Sequence, residues 1–149
     1  MASERAIEIA AALIREFEGF RSRPYLCPAG VATIGYGSTR YPDGRAVRLT
    51  DKPITRETAE AMLQYAIRTT YMPAVLKLCP GIDDAERLAA ITDFCFNLGA
   101  GSLRASTLRK RINAGRWGEV PGELRKWVRG GCRVLPGLVR RREAEASLI

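Results

Sequence analysis

Near the start of the chain, apolar positions recur every three or four places. Ile7, Ala11, Leu13 and Ile14 share one stripe, and that period predicts a helix over residues 3–17. Ser3 stands where an N-cap belongs, and Gly19 stands where the chain must leave the helix. The period then changes. Two short β-type runs, one ending at Tyr25-Leu26-Cys27 and one starting at Val31, flank the turn Pro28-Ala29-Gly30 and read as a hairpin. With that three-residue loop, Cys27 faces Val31 and Tyr25 faces Thr33, so side chains 25, 27, 31 and 33 share a face. Pro42-Asp43-Gly44 predicts a further turn, with a third short strand starting near Val47.

Beyond the hairpin the helical period takes over. Thr55 is placed to cap a helix over 56–78, which Pro73 should kink or break near Tyr71. Asp83 and Glu86 have the spacing of a capping box and open an apolar helix through Leu88, Ile91, Phe94, Cys95 and Leu98, ending at Gly99. This run is the expected central helix of the core. Shorter helices follow over 107–114 and 119–128, the second ending in Gly130-Gly131. Pro136 opens a last helix through Ser147. The pattern predicts an α+β fold, mostly helical, with a small N-terminal antiparallel sheet beside a helical lobe.

At 149 residues one domain over 1–149 is expected, with ordinary globular proportions of 46% hydrophobic and 27% charged residues. No apolar run approaches a membrane span, and the N-terminal residues, interrupted by Glu4, Arg5 and Glu8, do not read as a secretory signal. The expectation is cytoplasmic synthesis without stable membrane insertion. The formal net charge is +8, from 24 Lys+Arg against 16 Asp+Glu. A field of that sign gathers polyanions: nucleic acid, anionic lipid or anionic wall polymer. The absence of histidine removes His-based catalysis and His-containing metal sites. Cys27, Cys79, Cys95 and Cys132 have neither a CxxC pair nor zinc-type spacing, so reduced thiols are expected, with no metal and no cofactor.

Glu18 falls at the end of the first helix, where the negative end of the dipole disfavours an ionised carboxylate and so favours the protonated form a general acid needs. Taken by itself, the position reads first as a solvated surface Glu, since exposed Glu is the norm. The hairpin register makes Cys27 and Thr33 diagonal neighbours, so one surface can present an acid, a thiol and a hydroxyl. The Gly35-Tyr36-Gly37 segment lets a ligand approach the backbone.

Glu18, Cys27 and Thr33, with eight and five residues between them, resemble the catalytic signature of the phage-type lysozymes, glycoside hydrolase family 24. That family places Glu, then Asp or sometimes Cys, then Thr at this spacing. The strings FEGFRSRPYLCPAGVATIGYGST, DFCFNLGAGSLRASTLRKRINAG and KWVRGGCRVLPGLVRRREAE resemble the family in its order, so the likeness spans nearly the whole chain. The resemblance implies a lysozyme-like fold with the active-site cleft between the sheet lobe and the helical lobe. It implies a monomeric endolysin, a muramidase of lysozyme type, that hydrolyses the β-1,4 bond between N-acetylmuramic acid and N-acetylglucosamine in bacterial peptidoglycan. Glu18 would be the proton donor, and Cys27 with Thr33 would position the water. Asn97, Ser106, Thr107 and Arg141 are the implied substrate-cleft residues. Asn97, Ser106 and Thr107 could equally serve local backbone, and Arg141 a solvated face. Release to the periplasmic wall would be holin-dependent.

Cys27 departs from the commoner Asp. A thiolate, its acidity assisted by Arg21 or Arg23, can take over the carboxylate's part. A covalent role and an inert small hydrophobe remain open alternatives. Two other functions stay open: a catalytically inactive wall-binding relative, and a basic helical module for nucleic acid. Against the second, basic residues are interleaved with Asp and Glu, and no nucleic-acid motif occurs, so no nucleic-acid partner is expected. Trp117 and Trp127 are expected in the core.

Overall fold

In the computed structural model, which describes residues 3–149, α1 (Glu4–Glu18) opens the chain. Ser3 caps it by accepting from the Ala6 amide at 3.1 Å, and Gly19, at φ +69°, closes it. A hairpin of β1 (Arg21–Leu26) and β2 (Ala32–Gly35) follows, antiparallel, with Tyr25 opposite Thr33 and Leu26 opposite Ala32. The Cys27 amide donates to the Val31 carbonyl at 3.0 Å, which continues the expected register into the turn. No regular third strand starts near Val47. Residues 36–54 fold back through isolated pairs, Ile34 with Ser38 and Arg40 with Ala46. The turns at Gly37 and Gly44 lie too close together to leave room for a ladder.

The helical part comprises α2 (Arg56–Ala66), α3 (Met72–Leu78), α4 (Ala85–Leu98), α5 (Ala100–Arg104), α6 (Thr107–Asn113), α7 (Val120–Leu124) and α8 (Pro136–Ala146). Thr55 caps α2, accepting from the Thr58 amide. The predicted interruption before Pro73 is a π-helical stretch, Ile67–Tyr71, in which the Met72 amide reaches back five residues to the Ile67 carbonyl. A proline inside the ladder supplies no N–H, and the register slips by one residue to accommodate it. Asp84, rather than Asp83, caps α4 through the Arg87 amide at 2.9 Å. The helix expected over 119–128 is only α7, preceded by a 3-10 turn, Trp117–Glu119. The chain then forms a second small hairpin, β3 (Arg129–Gly130) with β4 (Arg133–Val134), turning at Gly131.

α4 is the central helix: Leu88, Ala89, Ala90, Ile91, Phe94 and Cys95 are all buried, and α1 packs along it. The main core joins these to Ile7, Ile14, Leu63, Met72, Leu103, Leu108 and Leu124. A smaller cluster, Ile34, Val47 and Met62, ties the hairpin region to α2. Between the two parts lies a cleft of about 300 Å³. One wall is the 37–44 loop. The other is formed by Met62, Tyr65 and Tyr71, and the Phe96 ring of α4 completes the lining. Tyr71 and Phe96 stack at 4.8 Å between centroids. Among the described residues, two small hairpins beside eight α-helices make the fold mostly helical, with its cleft where the sheet lobe meets the helical lobe. No helix among the described residues is long and apolar enough to cross a membrane.

Candidate active site

Glu18 is the last residue of α1, and Gly19 turns the chain away so that the carboxylate projects at the lobe junction. It is only partly exposed, at 23%. The 37–44 loop of the cleft presses on it: a Cβ placed on Gly37 would stand 2.8 Å from Glu18 Oε1. Arg141 donates from Nη1 to Glu18 Oε2 at 2.7 Å. Its other edge is held by Asp93, with Nε to Oδ2 at 2.9 Å and Nη2 to Oδ1 at 2.8 Å. Burial opposes the Arg141 charge, but Asp93 and then Glu18 outweigh it and push the guanidinium above its ordinary range. Arg141 therefore bridges a partly exposed and a buried carboxylate, so it is not on a solvated face.

Cys27 follows β1 at the start of the turn and is partly exposed. Its thiol is held below its ordinary range, chiefly by backbone hydrogen bonding at Val31, with Ala29 and the Thr33 hydroxyl adding to the effect and only desolvation opposing it. The expected Arg assistance is not the cause: Arg21 instead lies over the Tyr25 ring at 4.3 Å. Thr33 is nearly buried, and its hydroxyl donates to the Val31 carbonyl at 2.9 Å. Tyr25, on β1, feels the charge of both Glu18 and Cys27. Burial raises its phenol, and negative charge on Glu18 and on Cys27 raises it further, so both groups act on the same ring.

The remaining sequence candidates sit differently. Asn97, near the end of α4, accepts from Arg142 Nη2 at 2.8 Å, which commits its carbonyl to the interior. Ser106 is buried and caps α6, accepting from the Arg109 amide and donating to the Leu103 carbonyl. Thr107 is exposed in the first turn of α6. The structure brings Glu18 to Arg141 and Cys27 to Thr33. None of Glu18, Cys27, Thr33, Asn97, Ser106, Thr107 and Arg141 is among the residues that line the cleft; Glu18 borders it through Gly37. Trp127 packs edge-on against Phe94 at 5.4 Å, and Trp117 lies at the core margin under Arg87.

Asp93 was not singled out by the sequence pattern. The signal was there: a carboxylate on the apolar face of a helix must find a cation, because an unpaired buried charge is too costly. What sequence could not supply was the partner, 48 residues away on α8. Among the described residues no cluster of ligands suits a metal ion.

A carboxyl group at a helix end, half withdrawn from water at a cleft between a hairpin lobe and a helical lobe, defines a lysozyme-like class of molecule. The particular family follows from comparison: the phage lysozyme family model matches residues 15–145, and the chain belongs to that family. The chain is 35% identical to the endolysin of Acyrthosiphon pisum secondary endosymbiont phage 1, over 91% of each chain. Its fold is similar to that of the endolysin from Escherichia coli O157:H7 phage FAHEc1, with TM-score 0.84 and 28% identity over 99% of this chain and 92% of that one. It is also similar to the muramidase domain of SpmX from Asticaccaulis excentricus, with TM-score 0.79 and 30% identity over 99% of this chain and 96% of that one.

Proposed function

We propose that the protein is a muramidase that hydrolyses the β-1,4 bond between N-acetylmuramic acid and N-acetylglucosamine in peptidoglycan, with Glu18 as general acid. Membership of the phage lysozyme family and the likeness to endolysins and to a muramidase domain support a peptidoglycan-directed glycosidase. The observation that carries the residue assignment is the placement of Glu18: at the end of α1, partly exposed, against the Gly37 loop of the cleft and clamped on one oxygen by Arg141. Arg141 takes Oε2, which leaves Oε1 to carry the proton to the leaving glycosidic oxygen. The +8 charge supports attraction to an anionic wall polymer.

As Glu18 protonates the leaving group, positive charge develops at the anomeric carbon. Cys27 and Thr33 serve the water on the opposite sugar face. The Thr33 hydroxyl gives its one proton to Val31 or to a Cys27 thiolate, and in either case its oxygen is free to accept from water. A Cys27 thiolate, favoured by the hydrogen bonds around it, takes up the water's proton and faces the developing cation. This sequence gives inversion. Asn97 acts here by holding Arg142, and Ser106 by capping α6.

The test is digestion of purified peptidoglycan, with new reducing ends identified by borohydride reduction and mass spectrometry. Wild type should yield reduced muramic acid ends, and Glu18→Gln should yield none while still binding the wall. Glucosamine ends would overturn the bond assignment. Full activity in Glu18→Gln would overturn the acid assignment. Wall binding without cutting by the wild type would make the chain a binding relative.

A further inference from the structure

Glu18 has open space on two sides. On one, it borders the cleft through Gly37. On the other, a second groove of about 740 Å³ lies between the end of α1 and the start of α8. Phe17, the residue before Glu18, forms part of its wall. Arg141, whose Nη1 holds Glu18 Oε2, forms another part. Leu135 and Leu138 add apolar lining. The groove is therefore continuous with the surroundings of the acid.

Two further lining residues carry opposite charges. Glu16 and Arg140 both face this groove, and both are exposed. The charged side chains around them are committed elsewhere: Arg15 to Glu60, Arg141 to Glu18 and Asp93, and Arg125 to Glu143. Among the described residues, neither Glu16 nor Arg140 makes an ion pair or a side-chain hydrogen bond, with the other or with any third group. Arg140 nonetheless lies back along α8: its Nη2 stands 3.9 Å from where a Cβ on Gly137 would be. A ligand that satisfies both residues must bear both signs of charge, with apolar surface between them. An uncharged sugar ring answers neither. A nucleic acid or an anionic lipid surface suits Arg140 but is repelled by Glu16. The stem peptide of peptidoglycan has all three features: free carboxylates, the side-chain amine of a diamino acid, and aliphatic carbons between them. It hangs from muramic acid on the strand that the proposed muramidase cuts.

We propose that the groove between α1 and α8 is a binding site for the peptidoglycan stem peptide. Arg140 takes a stem carboxylate, Glu16 takes the ammonium of the diamino acid, and Phe17, Leu135 and Leu138 cover the aliphatic carbons. A stem held there anchors the strand beside Glu18, because Phe17 and Arg141 belong to both places. The choice of substrate rests on the muramidase reading; the affinity for a peptide of this chemistry does not.

The probe is the tripeptide L-alanyl-γ-D-glutamyl-meso-diaminopimelic acid, acetylated at its N-terminus, titrated into the isotope-labelled full chain by NMR. It should shift the amides of Phe17, Gly137 and Leu138. Arg140→Ala and Glu16→Gln should each weaken it about threefold or more, as loss of one partly solvated charge contact does, with Arg140→Lys within about twofold of wild type. Acetylating the side-chain amine should weaken binding to wild type and make no difference to Glu16→Gln. Turnover supplies the second readout. The ratio of kcat/KM on intact peptidoglycan to kcat/KM on glycan strands stripped of stems by an amidase should exceed about tenfold in wild type, and shrink about threefold or more in Arg140→Ala. A tripeptide that leaves the groove amides unmoved overturns the proposal, as does a wild-type ratio near one or a ratio that the variant leaves unchanged. Shifts at these amides from a chitooligosaccharide or from phosphatidylglycerol vesicles, and not from the tripeptide, overturn it in favour of a sugar or a lipid contact. If the wild type cuts neither substrate, the muramidase reading fails and the titration decides the groove alone.

Discussion

Gly37 sets the tightest limit on where Glu18 can stand. Its φ of +79° is a conformation that side-chain-bearing residues rarely adopt, and a Cβ there would meet Glu18 at 2.8 Å from Oε1 and 3.0 Å from Cδ. Gly37→Ala therefore strains the loop, by about 1–2 kcal/mol, and also pushes the carboxyl off its position. The expected outcome is a folded protein with a kcat reduced about tenfold or more. Melting curves beside turnover numbers check it, and unchanged turnover would mean that Glu18 has slack. Cys27 invites a second experiment. Hydrogen bonding at Val31, Ala29 and Thr33 favours its thiolate, while burial pushes the Cys79 and Cys95 thiols up to about 11. In a Cys132→Ser background, which removes the other exposed thiol, alkylation of the folded protein should modify Cys27 alone. Its rate should reach half-maximum below the ordinary thiol value. A midpoint at or above that value would remove the electrostatic basis for a thiolate in the site.

At the level of elements, what was legible is what short-range chemistry determines. Ser3, Thr55 and Gly19 mark ends of α1 and α2 because capping is settled within one turn. The hairpin register was readable next to the turn, where a three-residue loop sets the pairing, but not the shift further along that puts Arg21 opposite Gly35. Pro73 announced the break but not its form, since a π-helical slip depends on how Met72 and Ile67 pack in the core. Asp83 and Asp84 are adjacent and chemically alike, so the choice of cap was decided by packing of Ile82 and Leu88. The β3–β4 hairpin escaped notice because strands of two residues carry no period. In the site, Glu18, Cys27 and Thr33 could be found as a spaced signature. The Asp93–Arg141 and Arg142–Glu145 pairs could not, because burial and distant partners leave no local pattern. Ser106 separates capping from substrate contact by measurement. Ser106→Ala removes the oxygen that accepts from Arg109 and should cost about 1 kcal/mol of stability. If the residue only caps α6, KM for peptidoglycan stays at the wild-type value. A raised KM with unchanged stability would put the hydroxyl on substrate instead.

Across the whole molecule, the buried cluster and the surface ion pairs impose opposite pH dependences on stability. Glu4, Asp51 and Glu143 are held below their ordinary range, chiefly by bonds from Arg68, from the Arg48 amide and from Arg125 respectively. Their contribution is present above the ordinary carboxyl range and lost as pH falls below it. Glu4 and Glu143 are exposed, so their contributions are small, whereas the Asp51 side chain is only 15% exposed. Glu145 works the other way. Its folded form keeps a proton that the unfolded chain releases in the ordinary carboxyl range, so the folded state binds more protons above that range. Stability then falls as pH rises, until Glu145 itself ionises. The melting temperature should accordingly be highest in mildly acid solution and decline from about pH 5 to about pH 8, before the buried thiols begin to titrate. Glu145→Gln carries no titrating proton, so its melting temperature should be nearly flat over the same interval, with the acid limb unchanged. Thermal unfolding followed by circular dichroism at constant ionic strength gives both curves, and constant ionic strength matters because a +8 chain is sensitive to screening. A wild-type curve that is flat or rising between those limits, or one that Glu145→Gln fails to flatten, would mean that the interior of α8 holds an ionised carboxylate after all.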